Sequence, residues 1–174
     1  MTAAIVAAMA GTLGIAIGRF WDVRSEALRW RRDQMASSYQ RLAEVFRTTV
    51  EGIRTVALAD PSDRRFVEFV NAVRADSSWD DAYSAVWLHG SPSVVEAVTA
   101  LDRAVTELFI DAQERRHRIE DWYRIRVPAR CAFEDFLTQA RIELRLQRVT
   151  VSFFPEIPRQ VLLSEARSTK TEEV

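Results

Sequence analysis

The sequence contains few residues that break or crosslink a chain. Among its 174 residues there are 5 Gly, 5 Pro and one cysteine, Cys131. So few breakers favour long helices over a fold with many tight turns. A lone cysteine excludes an internal disulfide and a CxxC metal or redox site. Because Cys131 lies near the start of a helical pattern, we expect it to be a buried or half-buried small apolar residue.

Lysine and net charge are scarce as well. The basic residues are 23 Arg and Lys170, and the formal net charge is -1. A molecule with this charge has no overall field that attracts nucleic acid, so we do not expect nucleic acid as a partner. The charge is uneven, however. Residues 61–112 hold 4 Arg and 9 acidic residues, whereas residues 113–148 hold 9 Arg and 6 acidic residues. We expect these two segments to pair with each other.

Motifs of the common enzyme classes are missing too. The patterns GxxxxGK[ST] and GxSxG and paired zinc ligands do not occur in the sequence. Glu114 and His117 form an ExxH, the half-motif of di-iron bundles, but Val86 stands where His89 would need its glutamate. We therefore interpret Glu114–His117 as a solvated helix face. The sequence predicts a non-catalytic protein with no catalytic residues, no cofactor and no metal. An enzyme whose catalytic residues are distant in the sequence is the third-ranked hypothesis.

Three acidic residues lie close together in the sequence, at Asp76, Asp80 and Asp81. They lack the order of an EF-hand loop and its distal glutamate, which excludes that type of calcium site. A helix that begins near Ser78 explains them, because carboxylates in the first turn stabilise the amino end of a helix dipole.

The chain does have a long uncharged start. Residues 2–18 carry no charge, and Arg19, Phe20 and Trp21 follow them. Secretion signals have basic residues before the apolar run, and none precedes it in this sequence. A helix of these residues rises about 25 Å, close to the roughly 30 Å of a hydrocarbon core once the two aromatic residues extend it. We predict a transmembrane anchor over residues 1–21, with a helix buried in an oligomer core as the alternative.

Charge on the two sides of this segment predicts its orientation. No basic side chain precedes the segment, whereas several arginines follow it closely. Positive residues stay on the cytoplasmic side of a membrane. We therefore expect a single-pass protein of a bacterial inner membrane, with its amino terminus outside and the bulk of the chain in the cytoplasm. The residues expected to anchor it at the membrane interface are Arg19, Phe20, Trp21 and Arg24.

Small residues line one face of the same segment. Gly14 and Gly18 form a GxxxG, and Ala10 extends the small face by one turn. Such a face lets two membrane helices approach closely. We interpret Ala10, Gly14 and Gly18 as a candidate surface for self-association into a homo-oligomer.

After Trp21, apolar residues recur every three or four positions, as they do in amphipathic helices. The predicted stripe is Leu28, Met35, Tyr39, Leu42, Phe46, Val50 or Thr49, Ile53 and Ala57. One helix is predicted to run from the membrane to about Leu58. A second is predicted to open at Pro61, with Asp60 as its N-cap. Its apolar face is followed by a break near Ser78 and by a third, short helix.

The segment HGSPSVVE predicts a sharp boundary, with Gly90 as a helix stop, Ser91 as an N-cap and Pro92 as the first helical residue. The next helix is predicted to continue until Pro128. Its apolar stripe is Val94, Val98, Leu101, Val105, Leu108 and Ala112. The stripe of the last helix is Phe133, Phe136, Leu137, Ala140 and Leu144.

These stripes predict an all-α fold, an antiparallel helical bundle of about four helices whose first helix is prolonged into the N-terminal transmembrane segment. The expected organisation is a transmembrane anchor at residues 1–21, a helical bundle at residues 22–148 and an extended, frayed tail at residues 149–174. The tail begins with VSFFPEIP, whose two prolines are incompatible with a helix.

Arginines are interleaved with aromatic residues late in the chain, and both types are enriched among residues that anchor interfaces. Our candidate partner surface is Arg115, Arg116, Arg118, Trp122 and Arg126. The leading hypothesis is a membrane-tethered, non-catalytic protein-interaction or scaffold module that faces the cytoplasm. Its partners would be membrane lipid and an unidentified protein or a second copy. The alternative is a nucleic-acid-binding or phage-defence-type effector that uses the Arg-rich segment 115–130.

Four segments carry a resemblance to known proteins. They are the apolar start, ALRWRRDQMASSYQRLAEVF, the helix that opens at GSPSVVEAV, and CAFEDFLTQARIEL. This layout, over residues 2–148, resembles uncharacterised single-pass proteins of high-GC bacteria and their phages. The resemblance implies a membrane-anchored cytoplasmic helical domain.

Overall fold

The structure is a computed structural model that describes residues 2–147, 149, 153 and 154, with side chains described for residue 26 and from residue 29 onward in these ranges. The described part contains six α-helices and no strand. The helices are α1 (Thr2–Leu58), α2 (Arg64–Ala75), α3 (Ser78–His89), α4 (Pro92–Glu114), α5 (Ile119–Ile125) and α6 (Val127–Glu143). The prediction of an all-α fold is confirmed for this part of the chain, with more helices than the four expected.

The longest element is α1, with 57 residues, and it ends at Leu58 as the sequence predicted. Among the residues whose side chains are described, no helix combines the length and the hydropathy that crossing a membrane requires. The predicted anchor at residues 1–21 lies outside the residues whose side chains are described. The same holds for the predicted self-association and interface residues, which are Ala10, Gly14, Gly18, Arg19, Phe20, Trp21 and Arg24.

The carboxyl half of α1 forms the centre of the hydrophobic core. Its spacing of three and four residues places apolar side chains on one face, toward α3 and α4. The buried residues of this stripe are Tyr39, Leu42, Phe46, Val50, Ile53, Val56 and Ala57. The six predicted stripe residues of α4, from Val94 to Ala112, are buried as well.

Helix α3 runs antiparallel to α1. Trp79, near the start of α3, packs beside Phe46 with ring centroids 6.4 Å apart. His89, at the end of α3, contacts Ser38, which lies eight residues earlier than Phe46 on α1. The next helix, α4, therefore starts near the same level of α1 as Ser38.

Helix α6 is also antiparallel to α1; it packs mainly against α4, and its aromatic side chains reach α1. Phe133 stacks on Phe46 with ring centroids 4.1 Å apart and an interplanar angle of 5°. Phe154, beyond the end of α6, lies against Phe133 at 5.8 Å. Cys131 lies on the opposite side of α6 and is exposed, so the expectation that it would be buried or half-buried is wrong.

The second helix begins three residues later than predicted. Asp60 does not cap it; its Oδ1 accepts hydrogen bonds from the backbone N–H and the hydroxyl of Ser62 instead. The N–H of Asp63 donates to the Asp60 carbonyl at 2.9 Å, which closes a turn around Pro61. Proline fits the second position of such a turn as well as it fits the start of a helix, so the same residues are compatible with both structures. Asp63 is the actual N-cap of α2.

The helix that opens at Pro92 ends at Glu114 and not near Pro128. The chain leaves the helical path at Arg115, which has an extended backbone. Two residues later, the backbone N–H of His117 donates a 2.7 Å hydrogen bond to the carbonyl of Ala57 in the last turn of α1. This contact satisfies one of the carbonyl groups that a helix end leaves without a partner. The break therefore depends on a tertiary contact, with no glycine or proline to mark it.

Helix α6 ends in a Schellman motif. The N–H of Arg145 donates to the carbonyl of Ile142, and the N–H of Leu146 donates to the carbonyl of Arg141. Arg145 has a φ of 57°, in the left-handed region where glycine is the usual residue. The arginine therefore adopts a backbone conformation that its Cβ disfavours.

Candidate functional site

Three helix ends meet α1 at the point where it enters the bundle. Glu143, the last residue of α6, accepts a 2.6 Å hydrogen bond from the hydroxyl of Tyr39 on α1. The two Glu143 oxygens also accept hydrogen bonds from the backbone N–H of Ser91, at 3.1 and 3.2 Å. Ser91 is the N-cap of α4, so this carboxylate lies at the positive end of a helix dipole. One side chain thus joins α1, α4 and α6, and we call this region the junction.

Tyr39 is 4% exposed, and its environment favours the neutral phenol. Burial raises the pKa of Tyr39, and the adjacent Glu143 carboxylate raises it further through the hydrogen bond and through its charge. A phenol held neutral in this way is a hydrogen-bond donor at physiological pH and does not supply a phenolate for proton abstraction.

A serine and a histidine also meet at the junction. Ser38 Oγ lies 2.8 Å from Nδ1 of His89 and 2.9 Å from the carbonyl oxygen of Gln34. A hydroxyl has a single proton, so when Ser38 donates it to Gln34 the imidazole N–H donates to Ser38. In that arrangement the ring does not act as a base toward Ser38, which is itself only 6% exposed. The pair fastens the end of α3 to α1.

Gly90 lies close to residues of α1, α3 and α4. A Cβ at this position would lie 2.9 Å from the carbonyl oxygen of Val86 and 3.3 Å from the hydroxyl of Tyr39. The φ of Gly90 is -79°, which any residue can adopt, so space and not backbone conformation requires the glycine. The prediction that Gly90 ends the helix is confirmed, because α3 stops at His89. The sequence did not indicate the close approach.

Several exposed apolar side chains belong to the helix segments that meet at the junction. Trp30 precedes it on α1, Trp87 and Leu88 are in the last turn of α3, and two more residues lie at the end of α6. We call this group the junction rim. Its members are Trp30, Trp87, Leu88, Ile142 and Leu146, with exposed fractions of 66%, 52%, 80%, 48% and 47%. Helical periodicity of apolar residues identifies the side chains that face the core. It does not show which other apolar side chains are exposed, so the sequence did not predict the junction rim.

The three arginines of the predicted partner surface in the α4–α5 connection are exposed. Each lies beside an acidic residue, so their charge is partly neutralised. The ion pairs are Arg115–Asp111 at 2.9 Å, Arg116–Asp60 at 3.4 Å and Arg118–Glu120 at 3.4 Å. Of these three ion pairs, only Arg115–Asp111 joins the acidic segment 61–112 to the basic segment 113–148, and its two residues are four positions apart on the chain.

The structure separates the other two residues of that predicted surface from the exposed arginines. Trp122 is 1% exposed and belongs to the core, so it cannot contribute to a partner surface or stack on a base. Arg126 is half-buried, with its guanidinium 4.6 Å from the centre of the Tyr123 ring. Trp122 is buried because α5 folds back onto the end of α1, a contact that the predicted continuous helix would not make.

His117 is buried, which corrects the interpretation of Glu114–His117 as a solvated face. Glu114 is exposed, but His117 is only 6% exposed. Its Nε2 lies 3.2 Å from Oδ2 of Asp111 and 3.3 Å from the Asp111 carbonyl oxygen. Together with the bond from its backbone to Ala57, this contact ties the end of α4 to the end of α1.

The acidic residues around Ser78 are explained by the start of α3, as predicted. Oδ1 of Asp76 accepts hydrogen bonds from the backbone N–H and the hydroxyl of Ser78, and these bonds lower the pKa of Asp76. Asp80 and Asp81 lie in the first turn of α3. Within the described ranges, no group of three His, Cys, Asp or Glu side chains is placed to hold a metal ion.

A shallow groove of about 330 Å³ lies between α1, α2, α3 and α4. Trp79 lines it and donates a 2.8 Å hydrogen bond from Nε1 to Oδ1 of Asp102. The rest of the lining mixes threonines, such as Thr48, with apolar residues such as Phe109. This lining contains no nucleophile paired with a base.

Comparisons of the chain with protein-family models, with curated proteins and with solved structures found no match.

Proposed function

We propose that this protein is a membrane-tethered, non-catalytic interaction module whose helical domain faces the cytoplasm. The observation that carries the proposal is the continuity of α1, which runs as one helix from Thr2 to Leu58. Its amino third contains the uncharged run, and its carboxyl half contributes the central stripe of the core. In the proposed architecture, α1 spans the membrane over residues 1–21 and packs with α3, α4 and α6 as an antiparallel four-helix bundle.

The junction supports rigid coupling between the proposed anchor and the bundle. Tyr39 and Ser38 bond to residues at the ends of α6 and α3, respectively. Arg32 lies six residues before Ser38 on α1, and its Nη2 donates a 2.7 Å hydrogen bond to the carbonyl of Leu144. These three contacts fix the entry angle of α1, so a partner of the bundle would be held at a defined orientation to the membrane.

The junction rim supports a protein partner in preference to lipid. Trp30 follows Trp21 by nine residues, or about 14 Å of helix. The headgroup region adds only about 5 to 7 Å on each side of the hydrocarbon core. An upright α1 would therefore hold the rim in water, where large exposed apolar side chains favour contact with another protein.

The experiment is affinity capture of the full chain from detergent-solubilised membranes, with two substitutions compared. Trp87→Ser removes a rim residue, and Val67→Ser removes a similarly exposed apolar residue on α2, which is 61% exposed. We expect a stoichiometric protein with the wild type and with Val67→Ser, and about tenfold less of it with Trp87→Ser, as for an interface hot spot. Untagged copies of the chain itself in the captured fraction would identify the partner as a second copy.

Two results would contradict this proposal. One is a monodisperse monomer in detergent from which no stoichiometric protein is recovered. The other is equal recovery with Trp87→Ser and Val67→Ser, which would show that the rim does not hold the partner.

A further inference from the structure

Two buried N–H groups near the start of α6 have no hydrogen-bond acceptor among the described residues. They are Nε1 of Trp122 and Nε of Arg126. The backbone N–H of Arg126 donates to the carbonyl of Trp122 at 3.3 Å, so the two residues are one helical turn apart and share a face. Buried donors without an acceptor in the protein are rare, and a bound ion or water molecule is one explanation for them.

Charged groups of both signs act on Arg126, and arginines are in excess among them. They are Arg130, Arg54 on α1 and the carboxylate of Glu51 on α1. Glu51 is engaged by Arg54 in an ion pair of 3.1 Å. Burial lowers the pKa of Arg126, and the charge of Arg130 lowers it further. An anion at this position would favour the charged form of Arg126 and so offset the effects of burial and of the Arg130 charge on its pKa.

We propose that Trp122 and Arg126 form a binding site for a small oxyanion of the phosphate class. A guanidinium offers parallel N–H donors that match two oxygens of a phosphate group, and the indole N–H adds a neutral donor. Tyr123 supports the flat face of the Arg126 guanidinium, which leaves the N–H edge for the anion. The proposal requires the half-buried Arg126 side chain to shift toward solvent and admit the anion beside Trp122, because both donor atoms are buried in the structure.

The position of the site favours a soluble phosphate or phosphate ester over a lipid headgroup. Arg126 lies at the level of residues 51–54 on α1, about thirty residues after Trp21, which corresponds to about 45 Å of helix. Headgroups of the membrane that holds the anchor would be out of reach. This step rests on the proposed anchor, whereas the anion site itself does not.

The test is titration of the full chain in detergent with inorganic phosphate, at constant ionic strength set with chloride. Binding is followed by ³¹P NMR line broadening and by tryptophan fluorescence. Arg126→Gln removes the guanidinium, and Trp122→Phe removes the indole N–H but keeps an aromatic ring. The matched control is Arg124→Gln, which removes an arginine that pairs with Asp121 on the same helix. A second arm measures sedimentation with vesicles that contain phosphatidic acid.

We expect saturable binding of phosphate that is weakened about tenfold or more by Arg126→Gln, several-fold by Trp122→Phe and less than about twofold by Arg124→Gln. Vesicle binding that depends on Arg126 would assign the same site to a lipid headgroup. If circular dichroism shows that Arg126→Gln does not fold, Arg126→Lys replaces it in the test. We expect Arg126→Lys to weaken phosphate binding, but by less than the roughly tenfold expected for Arg126→Gln. The proposal is overturned if phosphate and chloride have the same effect, or if Arg124→Gln weakens binding as much as Arg126→Gln. Neither result depends on whether the chain enters a membrane.

Discussion

The hydroxyl of Tyr39 donates a 2.6 Å hydrogen bond to Oε2 of Glu143, which lies 104 positions later in the chain. The bond connects the helix that begins the chain to the last helix of the described part. Because Glu143 also accepts from the N-cap of α4, the interaction closes the end of the bundle through which α1 enters. The stability of the fold and the coupling of α1 to the bundle therefore depend on the same contact.

Replacing Tyr39 with phenylalanine should lower the free energy of unfolding by about 1.5 to 3 kcal/mol, because it removes a hydrogen bond to a charged group. Chemical unfolding of the full chain in detergent measures the change. Tyr83→Phe is the matched control, since the Tyr83 hydroxyl is 3.4 Å from Oγ1 of Thr99, at the outer limit of a hydrogen bond. Equal losses of unfolding free energy in the two variants would show that the bond from Tyr39 to Glu143 stabilises the fold no more than the weak contact of Tyr83.

Alkaline pH should weaken the fold through the same residue. The pKa of Tyr39 in the folded state is raised above its ordinary value of 10.0. Its contribution to stability is therefore complete below pH 10 and is lost as the pH rises toward the folded-state pKa, at up to about 1.4 kcal/mol per pH unit. We expect unfolding midpoints to fall above pH 10 in the wild type and to fall less steeply in Tyr39→Phe. Unfolding midpoints that fall equally with pH in the two proteins would show that Tyr39 does not cause the alkaline loss of stability.

Alanine should have different effects on stability at two glycines, because only Gly90 lies against a backbone atom that leaves no space for a Cβ. At Gly90 an alanine Cβ would lie 2.9 Å from a backbone carbonyl oxygen, so Gly90→Ala should cost about 1 to 3 kcal/mol. At Gly52, within α1, the nearest atom is a side-chain atom, Cγ2 of the half-buried Val73, at 3.2 Å. The gain in helix propensity, about 0.5 to 1 kcal/mol, should offset that contact and leave Gly52→Ala near neutral. Thermal unfolding of both variants checks the contrast, and a neutral Gly90→Ala would refute the close approach.

The end of α6 offers a stabilising substitution. Arg145 has a φ of 57°, and glycine adopts this conformation without the Cβ penalty. We expect Arg145→Gly to raise the free energy of unfolding by about 0.5 to 1 kcal/mol, as for other residues in the left-handed position of a helix end. Arg145→Ala, which keeps the Cβ, should change it little. A melting temperature that is lowered by Arg145→Gly would contradict the Schellman assignment.

Sequence periodicity was sufficient to predict the helices that bury a regular stripe. The stripe from Tyr39 to Ala57, the stripe from Val94 to Ala112 and the boundary at Gly90 and Pro92 all follow from local rules. Spacing reports which side chains share a face, and capping residues report where a helix starts, so these features need no knowledge of the rest of the chain.

The features that the sequence did not predict depend on contacts between distant segments. The break between Glu114 and Ile119 exists because His117 bonds to Ala57, and no local breaker marks it. The burial of Trp122 follows from that break. Trp122 therefore belongs to the core and not to the predicted partner surface. The junction is likewise assembled from Ser38, Tyr39, His89 and Glu143, which no short motif connects.

The most direct test of the proposed function is membrane fractionation combined with protease protection of a carboxyl-terminal tag in the full chain. We expect the protein to stay with the membrane after high-salt and alkaline washes and to be released by detergent. The tag should resist protease in intact spheroplasts and be cleaved in inverted vesicles. Recovery of the protein in the soluble fraction without detergent, or cleavage of the tag in intact spheroplasts, would contradict a bundle anchored by α1 on the cytoplasmic side.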